Sequence, residues 1–263
     1  MKVDKVIEMN NVSWRRSRKE ILHRINWTVK KGEHWAVLGL NGAGKTTLLN
    51  MVNGYIWPTT GEVTVLGEKF GKTDIHQLRR SIGWVSSSLR ERVNEYHLTE
   101  EIVISGKYAA VGVTFVEPTE QDYEQARKWM EMLSVDHTYG ARYAVCSNGE
   151  KQKILLARSL MANPKLLILD EATNGLDFVA REELLRTIER LAKDEAAPTI
   201  IFVTHHIEEV LPMFTHTLLL KDGTVFEKGE RKRVLTNTHM SKMYDEAIEV
   251  HWRSDRAWLT IVE

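Results

Sequence analysis

At 263 residues the chain is long enough for one large domain or two small ones, and an apolar content of 43% is that of an ordinary globular protein with a sizeable core. Lys plus Arg and Asp plus Glu both number 36, so the formal net charge is zero and no whole-molecule basic field exists to gather nucleic acid. A single cysteine, Cys146, excludes an internal disulfide framework and suits a reducing cytosol; the polar opening MKVDKVIEMN is no signal peptide, and no apolar run approaches the ~18 to 20 residues of a membrane span, so work at a membrane would pass through a partner.

In chain order, residues 6–14 and 21–29 are expected as antiparallel strands at the side of a sheet. Residues 35–40 (WAVLGL), 166–169 (LLIL) and 200–203 (IIFV) are apolar runs too short for helices, unalternated, and bounded by polar residues or glycine. That is the pattern of central strands buried on both faces of a parallel sheet. A helix opens at Thr46 and runs to Asn53. Between about Thr99 and Ala162 the chain reads as helical almost throughout, with Tyr123, Ala126, Trp129, Met130 and Leu133 forming an apolar stripe at spacings of three and four. Leu184, Leu185, Ile188 and Leu191 repeat that spacing. The expected architecture is an α/β core, residues 1–98 and 163–230, with an inserted all-helical subdomain, residues 99–162. In the C-terminal extension, residues 231–263, two apolar segments at 248–252 and 257–262 flank Arg253-Ser254-Asp255-Arg256 and read as a hairpin with a polar turn. The stretch KGERKR from Lys228 reads as a solvated charged face.

Three groups of residues carry chemistry. Gly39-Leu40-Asn41-Gly42-Ala43-Gly44-Lys45-Thr46 matches G-x-x-x-x-G-K-[ST] between an expected strand and an expected helix, the setting that such a loop requires. Gly39, Gly42 and Gly44 let successive amides turn inward around nucleotide phosphates, Lys45 would bridge the β and γ phosphates, and the Thr46 hydroxyl would ligate Mg²⁺. The second group is Asp170-Glu171, at the end of a buried strand, where α/β sheets bind ligands. Asp170 would hold Mg²⁺ through water and Glu171 would act as general base; a polar strand end that caps the next helix is the plainer alternative. His205, at the end of the third strand, could hydrogen-bond a γ phosphate as a neutral imidazole. The third group is Cys146-Ser147-Asn148-Gly149-Glu150. Ser147 and Glu150 form a capping box, yet Asn148 and Gly149 are poor helix formers that leave backbone amides open, as an anion site would.

With these residues in hand the chain resembles the ATP-binding cassette (ABC) ATPases over essentially residues 1–230, from the phosphate loop through Thr47, the helical insert, the box at 147–150, Asp170-Glu171 and Asn174-Gly175-Leu176-Asp177 to Thr204-His205. The resemblance implies a P-loop NTPase (RecA-like) core with an antiparallel β side sheet, ATP and Mg²⁺ as ligands, and a head-to-tail dimer. In such a dimer Ser147, Asn148, Gly149 and Glu150 of one copy close on the γ phosphate held by the other, and Asp177 belongs to the loop between the two sites. Trp14 fits the aromatic that stacks on adenine, with plain strand packing as the alternative. The sequence departs from the family at Asn148, where glycine is usual, and at Ser87, where a glutamine normally touches Mg²⁺ and relays nucleotide state to a membrane subunit. Residues 32–35 and 82–88 look like the ModF-like cassettes associated with molybdenum transport. The resemblance implies a cytoplasmic ATPase that drives an integral membrane permease from the inner face of the cell membrane; the rival reading is a soluble regulatory or repair ATPase with no permease, which the serine at 87 favours.

Overall fold

The computed structural model describes residues 5–108 and 117–262. The chain begins with β1 (Lys5–Arg16), β2 (Lys19–Lys30), β3 (Trp35–Leu38), α1 (Lys45–Val52), β4 (Thr60–Val65), β5 (Glu68–Lys69) and α2 (Ile75–Arg80). It continues through β6 (Ile82–Ser86), α3 (Ser87–Arg90), α4 (Thr99–Ser105), α5 (Glu120–Met132), α6 (Asn148–Leu160), β7 (Leu166–Asp170) and α7 (Phe178–Ala192). The last stretch holds β8 (Thr199–Thr204), β9 (His216–Lys221), β10 (Thr224–Glu230), α8 (Arg231–Val234), α9 (Asn237–Tyr244), β11 (Ile248–Arg253) and β12 (Arg256–Ile261). Two compact units result: residues up to 79 together with those from 199 onward, and residues 80–198.

The first unit has an antiparallel sheet in the order β2-β1-β4-β5. It also has a mainly parallel set in which β3 lies between β8 and β9, parallel to both, and β9 returns antiparallel into β10. All residues of β3 and β8 are buried, which explains their unbroken apolar sequence. Strand β3 stops at Leu38, two residues before the apolar run ends, because Gly39 already turns away: a Cβ there would stand 2.6 Å from the Leu220 carbonyl. At the other end of β3 the Ile200 amide donates to His34 Nδ1 at 3.0 Å. Burial lowers the pKa of this imidazole and keeps it the neutral acceptor that the bond needs. Trp35 stacks on His216, with ring centroids 4.9 Å apart.

In the second unit β6 and β7 run parallel, in register from Ile82 opposite Leu166 to Ser86 opposite Asp170. Helix α6 buries Ile154, Leu155, Leu156, Ala157 and Leu160, and both α4 and α5 pack on it. Gly106, just past α4, is required there, since a Cβ would lie 1.9 Å from the Arg158 carbonyl. On α5 the stripe behaves as its spacing predicts for Ala126 and Met130, with Leu133 buried just beyond, whereas Tyr123 and Trp129 are only half-buried. The same helix buries an acid that no apolar pattern announces. Asp122 accepts hydrogen bonds from Lys107 Nζ (2.5 Å), Tyr108 Oη (2.8 Å) and the Thr119 amide (3.0 Å). Burial alone would raise the pKa of this carboxyl, but those donors outweigh it and hold the group well below the usual carboxylate range.

The expected C-terminal hairpin is present as β11 and β12, paired from Ile248 opposite Ile261 to Arg253 opposite Arg256. Its two turn residues, Ser254 (φ 48°) and Asp255 (φ 58°), both adopt the left-handed backbone that a two-residue hairpin turn demands. The basic stretch before it is a solvated face at Lys228, Glu230, Lys232 and Arg233, which are exposed, with Lys228 Nζ donating to the Asn26 carbonyl. Arg231 departs from it: it is 6% exposed and ion-paired with Asp255 at 2.7 Å.

Candidate functional site

In the first unit the residues after β3 form a tight loop. Gly42 (φ 82°) and Gly44 (φ 101°) hold left-handed backbones, and Gly44 stands at the N-terminus of α1 without a side-chain cap. No acidic residue occupies the first turn of that helix. Its leading amides and the positive end of its dipole therefore meet no carboxylate from the helix's own first turn, an electrostatic condition that favours an anion. Lys45 is 6% exposed, and its ammonium donates to the carbonyls of Gly39 (2.7 Å) and Leu40 (3.2 Å), closing the loop on itself. The loop is braced from behind by Gly223, whose amide donates to the Ala43 carbonyl at 3.0 Å. Asn41, Gly42 and Thr46 are exposed, Ala43 is buried, and Thr47 is half-buried.

Two further predicted residues lie near this loop. In the β3–β8 pairing Leu38 is opposite Thr204, so Gly39 and His205 leave neighbouring parallel strands at the same sheet end. The Thr204 hydroxyl accepts from the His206 amide at 3.0 Å and fixes the start of the turn, while the His205 and His206 rings stand 4.1 Å apart. Trp14, half-buried on β1, is paired with Leu22 on β2, and Leu22 Cδ2 lies 3.0 Å from where a Cβ on Gly44 would be. Trp14 is thus one cross-strand pair away from the loop.

The second unit gathers the remaining residues. Because Ser86 is opposite Asp170, the backbones of Ser87 and Glu171 also leave adjacent parallel strands together. Asp170 is buried, and Glu171 adopts a positive φ of 52°, uncommon for a residue with a side chain and costly in free energy. The Glu171 carboxylate is oriented by Asn174, whose Nδ2 donates to Oε2 at 2.7 Å. Asp177 accepts from the Ala180 amide at 2.9 Å and caps α7. The Ser147 hydroxyl accepts from the Glu150 amide (3.3 Å), and Glu150 Oε2 accepts from the Ser147 amide (2.7 Å), so the capping box is fully formed. Glu150 Oε1 also meets His137 Nε2 at 2.7 Å. The His137 contact, then the Ser147 amide, draw the Glu150 pKa down to about 2 against the opposing effect of burial. Gly149 has a packing role too: a Cβ there would lie 3.2 Å from the Ala180 Cβ, so the starts of α6 and α7 are close neighbours. Asn148 Nδ2 leans toward the Gly175 carbonyl at 3.4 Å. A cleft of about 580 Å³ opens beside them, lined by Ser147, Gly149, His137, Lys153 and Arg186 among others.

From the sequence Asn174 is named only within a family motif, with no role as the partner of Glu171, and Arg90, whose guanidinium lies against Gly175, is not named at all. The signal for Asn174 is its place three residues after an acid in a tight turn, where a short amide reaches back. Arg90 offers none.

A sequence profile described as ABC transporter matches residues 22–174. The chain is 48% identical to the ABC transporter ATP-binding protein YlmA of Bacillus subtilis, over 98% of each chain. It is 31% identical to the ABC transporter ATP-binding protein ModF of Escherichia coli, over 84% of this chain and 45% of that one, in keeping with the resemblance of residues 32–35 and 82–88. Among solved structures, cbiO1 from Clostridium perfringens, part of the ABC transporter complex cbiONQ, superposes with a TM-score of 0.78 at 26% identity, covering 91% of this chain and 94% of the other. A dimeric bacterial ABC transporter cassette gives 0.72 at 25% identity, covering 85% and 98%.

The Glu150 cap makes a pH-dependent prediction. A carboxyl whose folded pKa lies below its unfolded value of 4.5 contributes stability that is present above pH 4.5 and is lost as pH falls toward about 2. Wild type should exceed Glu150→Gln by about 0.5–1 kcal/mol at pH 7. In urea melts that margin shrinks at pH 4 and further at pH 3.5; a margin independent of pH overturns the assignment.

Proposed function

Because the chain belongs to the ABC transporter family as one of its ATP-binding cassettes, we propose that it binds and hydrolyses ATP with Mg²⁺, dimerising head to tail around two nucleotides to drive a membrane permease. The residues fit such ligands. The uncapped, acid-free N-terminus of α1 suits a polyanion, and the Thr46 hydroxyl and Asp170 carboxylate are hard oxygen donors of the kind Mg²⁺ takes. Bound at Thr46 and Asp170, the metal would neutralise charge on the phosphates.

The chain's own residues supply the rest. Lys45 exchanges its loop carbonyls for β and γ phosphate oxygens, while the amides of residues 41–47 surround the phosphates. Glu171 takes the proton of the attacking water, and Asn174 holds that carboxylate in one orientation. His205 hydrogen-bonds the γ phosphate from the neighbouring strand end, and Trp14 stacks on the adenine. Serine at position 87 is too short both to touch the metal and to relay nucleotide state, so the second task falls to other residues. The observation that carries the reading is the register Leu38 opposite Thr204, which sends Gly39 and His205 off one sheet end side by side. Across the dimer the amides of Asn148 and Gly149 grip the partner's γ phosphate, and Asp177 lies on the loop between the two sites. No helix among the described residues is long and apolar enough to cross a membrane, so coupling to transport runs through the permease.

Three measurements test this. Glu171→Gln keeps ATP binding by equilibrium dialysis while turnover falls by about 10² to 10⁴, the usual worth of a general base; near-normal turnover removes Glu171 from that role. Ser147→Arg leaves nucleotide binding to the monomer intact and abolishes the ATP-dependent dimer in gel filtration of the Glu171→Gln background, whereas a persisting dimer peak refutes the cross-subunit contact. Affinity capture from detergent-solubilised membranes with that ATP-locked variant recovers an integral membrane protein. Recovery of none favours a soluble regulatory or repair ATPase.

A further inference from the structure

The C-terminal segment is absorbed by no step of the mechanism, yet its hairpin touches the turn that follows His205. After β8 the chain passes through His205 and His206 into a single 3₁₀ turn, Ile207–Glu209. One side of that turn is tied to the sheet end: the Thr204 hydroxyl donates to Glu209 Oε2 at 2.5 Å, and Glu209 is 1% exposed. The other side is tied to the hairpin. Arg256, the first residue of β12, donates from Nε to the Glu208 carbonyl at 2.8 Å, and its Nη2 reaches the same oxygen. A 3₁₀ turn leaves its last carbonyls without partners in the turn, so a guanidinium on Glu208 satisfies a group that would otherwise depend on water.

Arg256 is itself held in place. The preceding residue, Asp255, is gripped through its carbonyl by Arg231 Nη1 (2.5 Å), and through its carboxylate by Arg231 Nη2 (2.7 Å) and Lys232 Nζ (2.7 Å). The following residue, Ala257, is wholly buried. Arg231 is buried beneath Trp252, with its guanidinium 5.2 Å from the ring centroid. Two ion pairs, a left-handed turn and a buried alanine therefore aim a single guanidinium at the carbonyl three residues after His205.

We propose that residues 231–262 brace the histidine turn, with Arg256 as a positioning residue that sets where His205 stands at the sheet end, so that ATP turnover depends on the seating of the C-terminal hairpin. Thr204 and the buried Ile207 and Val210 hold the turn from the sheet side, so releasing Arg256 removes the hairpin's grip on the Glu208 carbonyl and lets the backbone around it relax. The proposal rests on the reading of His205 as the γ-phosphate contact.

The test compares wild type, Arg256→Ala, Arg256→Lys, His205→Ala and the His205→Ala/Arg256→Ala double variant of the full chain. Arg256→Ala lowers kcat about tenfold with KM for ATP changed less than twofold, as expected when one charge-assisted hydrogen bond no longer positions a group. Arg256→Lys, which keeps a charged donor, recovers part of the loss. In the His205→Ala background Arg256→Ala adds nothing further, because both act through one group. Without nucleotide, hydrogen exchange of the 206–210 amides is faster in Arg256→Ala than in wild type. Unchanged exchange, or losses that multiply in the double variant, overturns the brace. Normal turnover of His205→Ala with accelerated exchange in Arg256→Ala instead sinks the reading of His205 and leaves the brace as a structural contact only, which also overturns its proposed effect on turnover.

Discussion

The Lys45 ammonium, buried and donating to the carbonyls of Gly39 and Leu40, constrains the shape of the loop between β3 and α1. A buried cation is costly unless matched by charge or by several well-placed dipoles. Carbonyl dipoles supply part of that match only if the loop curls around the amine, and the curl requires left-handed backbone at Gly42 and Gly44 and bare backbone at Gly39. The same curl leaves the start of α1 without a cap or an acid. Thus the geometry that stabilises the lysine also produces an amide-rich helix start with no acid in its first turn.

Around that loop, order is transmitted by strand register. Parallel pairing of β3 with β8 fixes Gly39 beside His205, and parallel pairing of β6 with β7 fixes Ser87 beside Glu171. A one-residue slip in either pair would exchange the side chains on two faces that are both buried, so the fit of particular side chains, rather than an alternation of apolar and polar, holds the chemistry in line. Glu171 then departs from regular structure, at a positive φ that costs on the order of 1–3 kcal/mol, and Asn174 secures its carboxylate. Strain at this position is tolerable because five buried strand residues anchor it from one side and the capped helix α7 from the other.

What was legible in the sequence follows the range of the interactions involved. The central strands, the apolar face of α7, the phosphate loop, the capping box and the hairpin are each encoded in one short continuous segment, and periodicity or spacing suffices to find them. Asp122 was not legible, since its partners Lys107 and Tyr108 lie 15 and 14 residues upstream. Nor was the burial of Arg231 within the otherwise solvated KGERKR stretch: its partner Asp255 lies 24 residues downstream and returns to it through a hairpin turn. Asn174 and Arg90 escaped for a related reason, because turns are short in sequence while their contacts depend on how the flanking elements are placed.

The start of α6 poses a tension that the geometry resolves. An anion site should not carry a carboxylate, yet Glu150 stands in the first turn and keeps its negative charge down to about pH 2. Its oxygens, however, are turned back, one to Ser147 and one to His137, so the charge is spent on the helix's own donors. Ser147 in turn is occupied with Glu150, which leaves the outermost amides, those of Asn148 and Gly149, as donors with no intrahelical acceptor. A helix optimised only for stability would fill these positions with good helix formers and lose the close approach to Ala180 that Gly149 permits. The box therefore holds the helix end rigid from within while leaving the amides of Asn148 and Gly149 without an intrahelical acceptor, and the Asn148 side chain leans aside toward the Gly175 carbonyl.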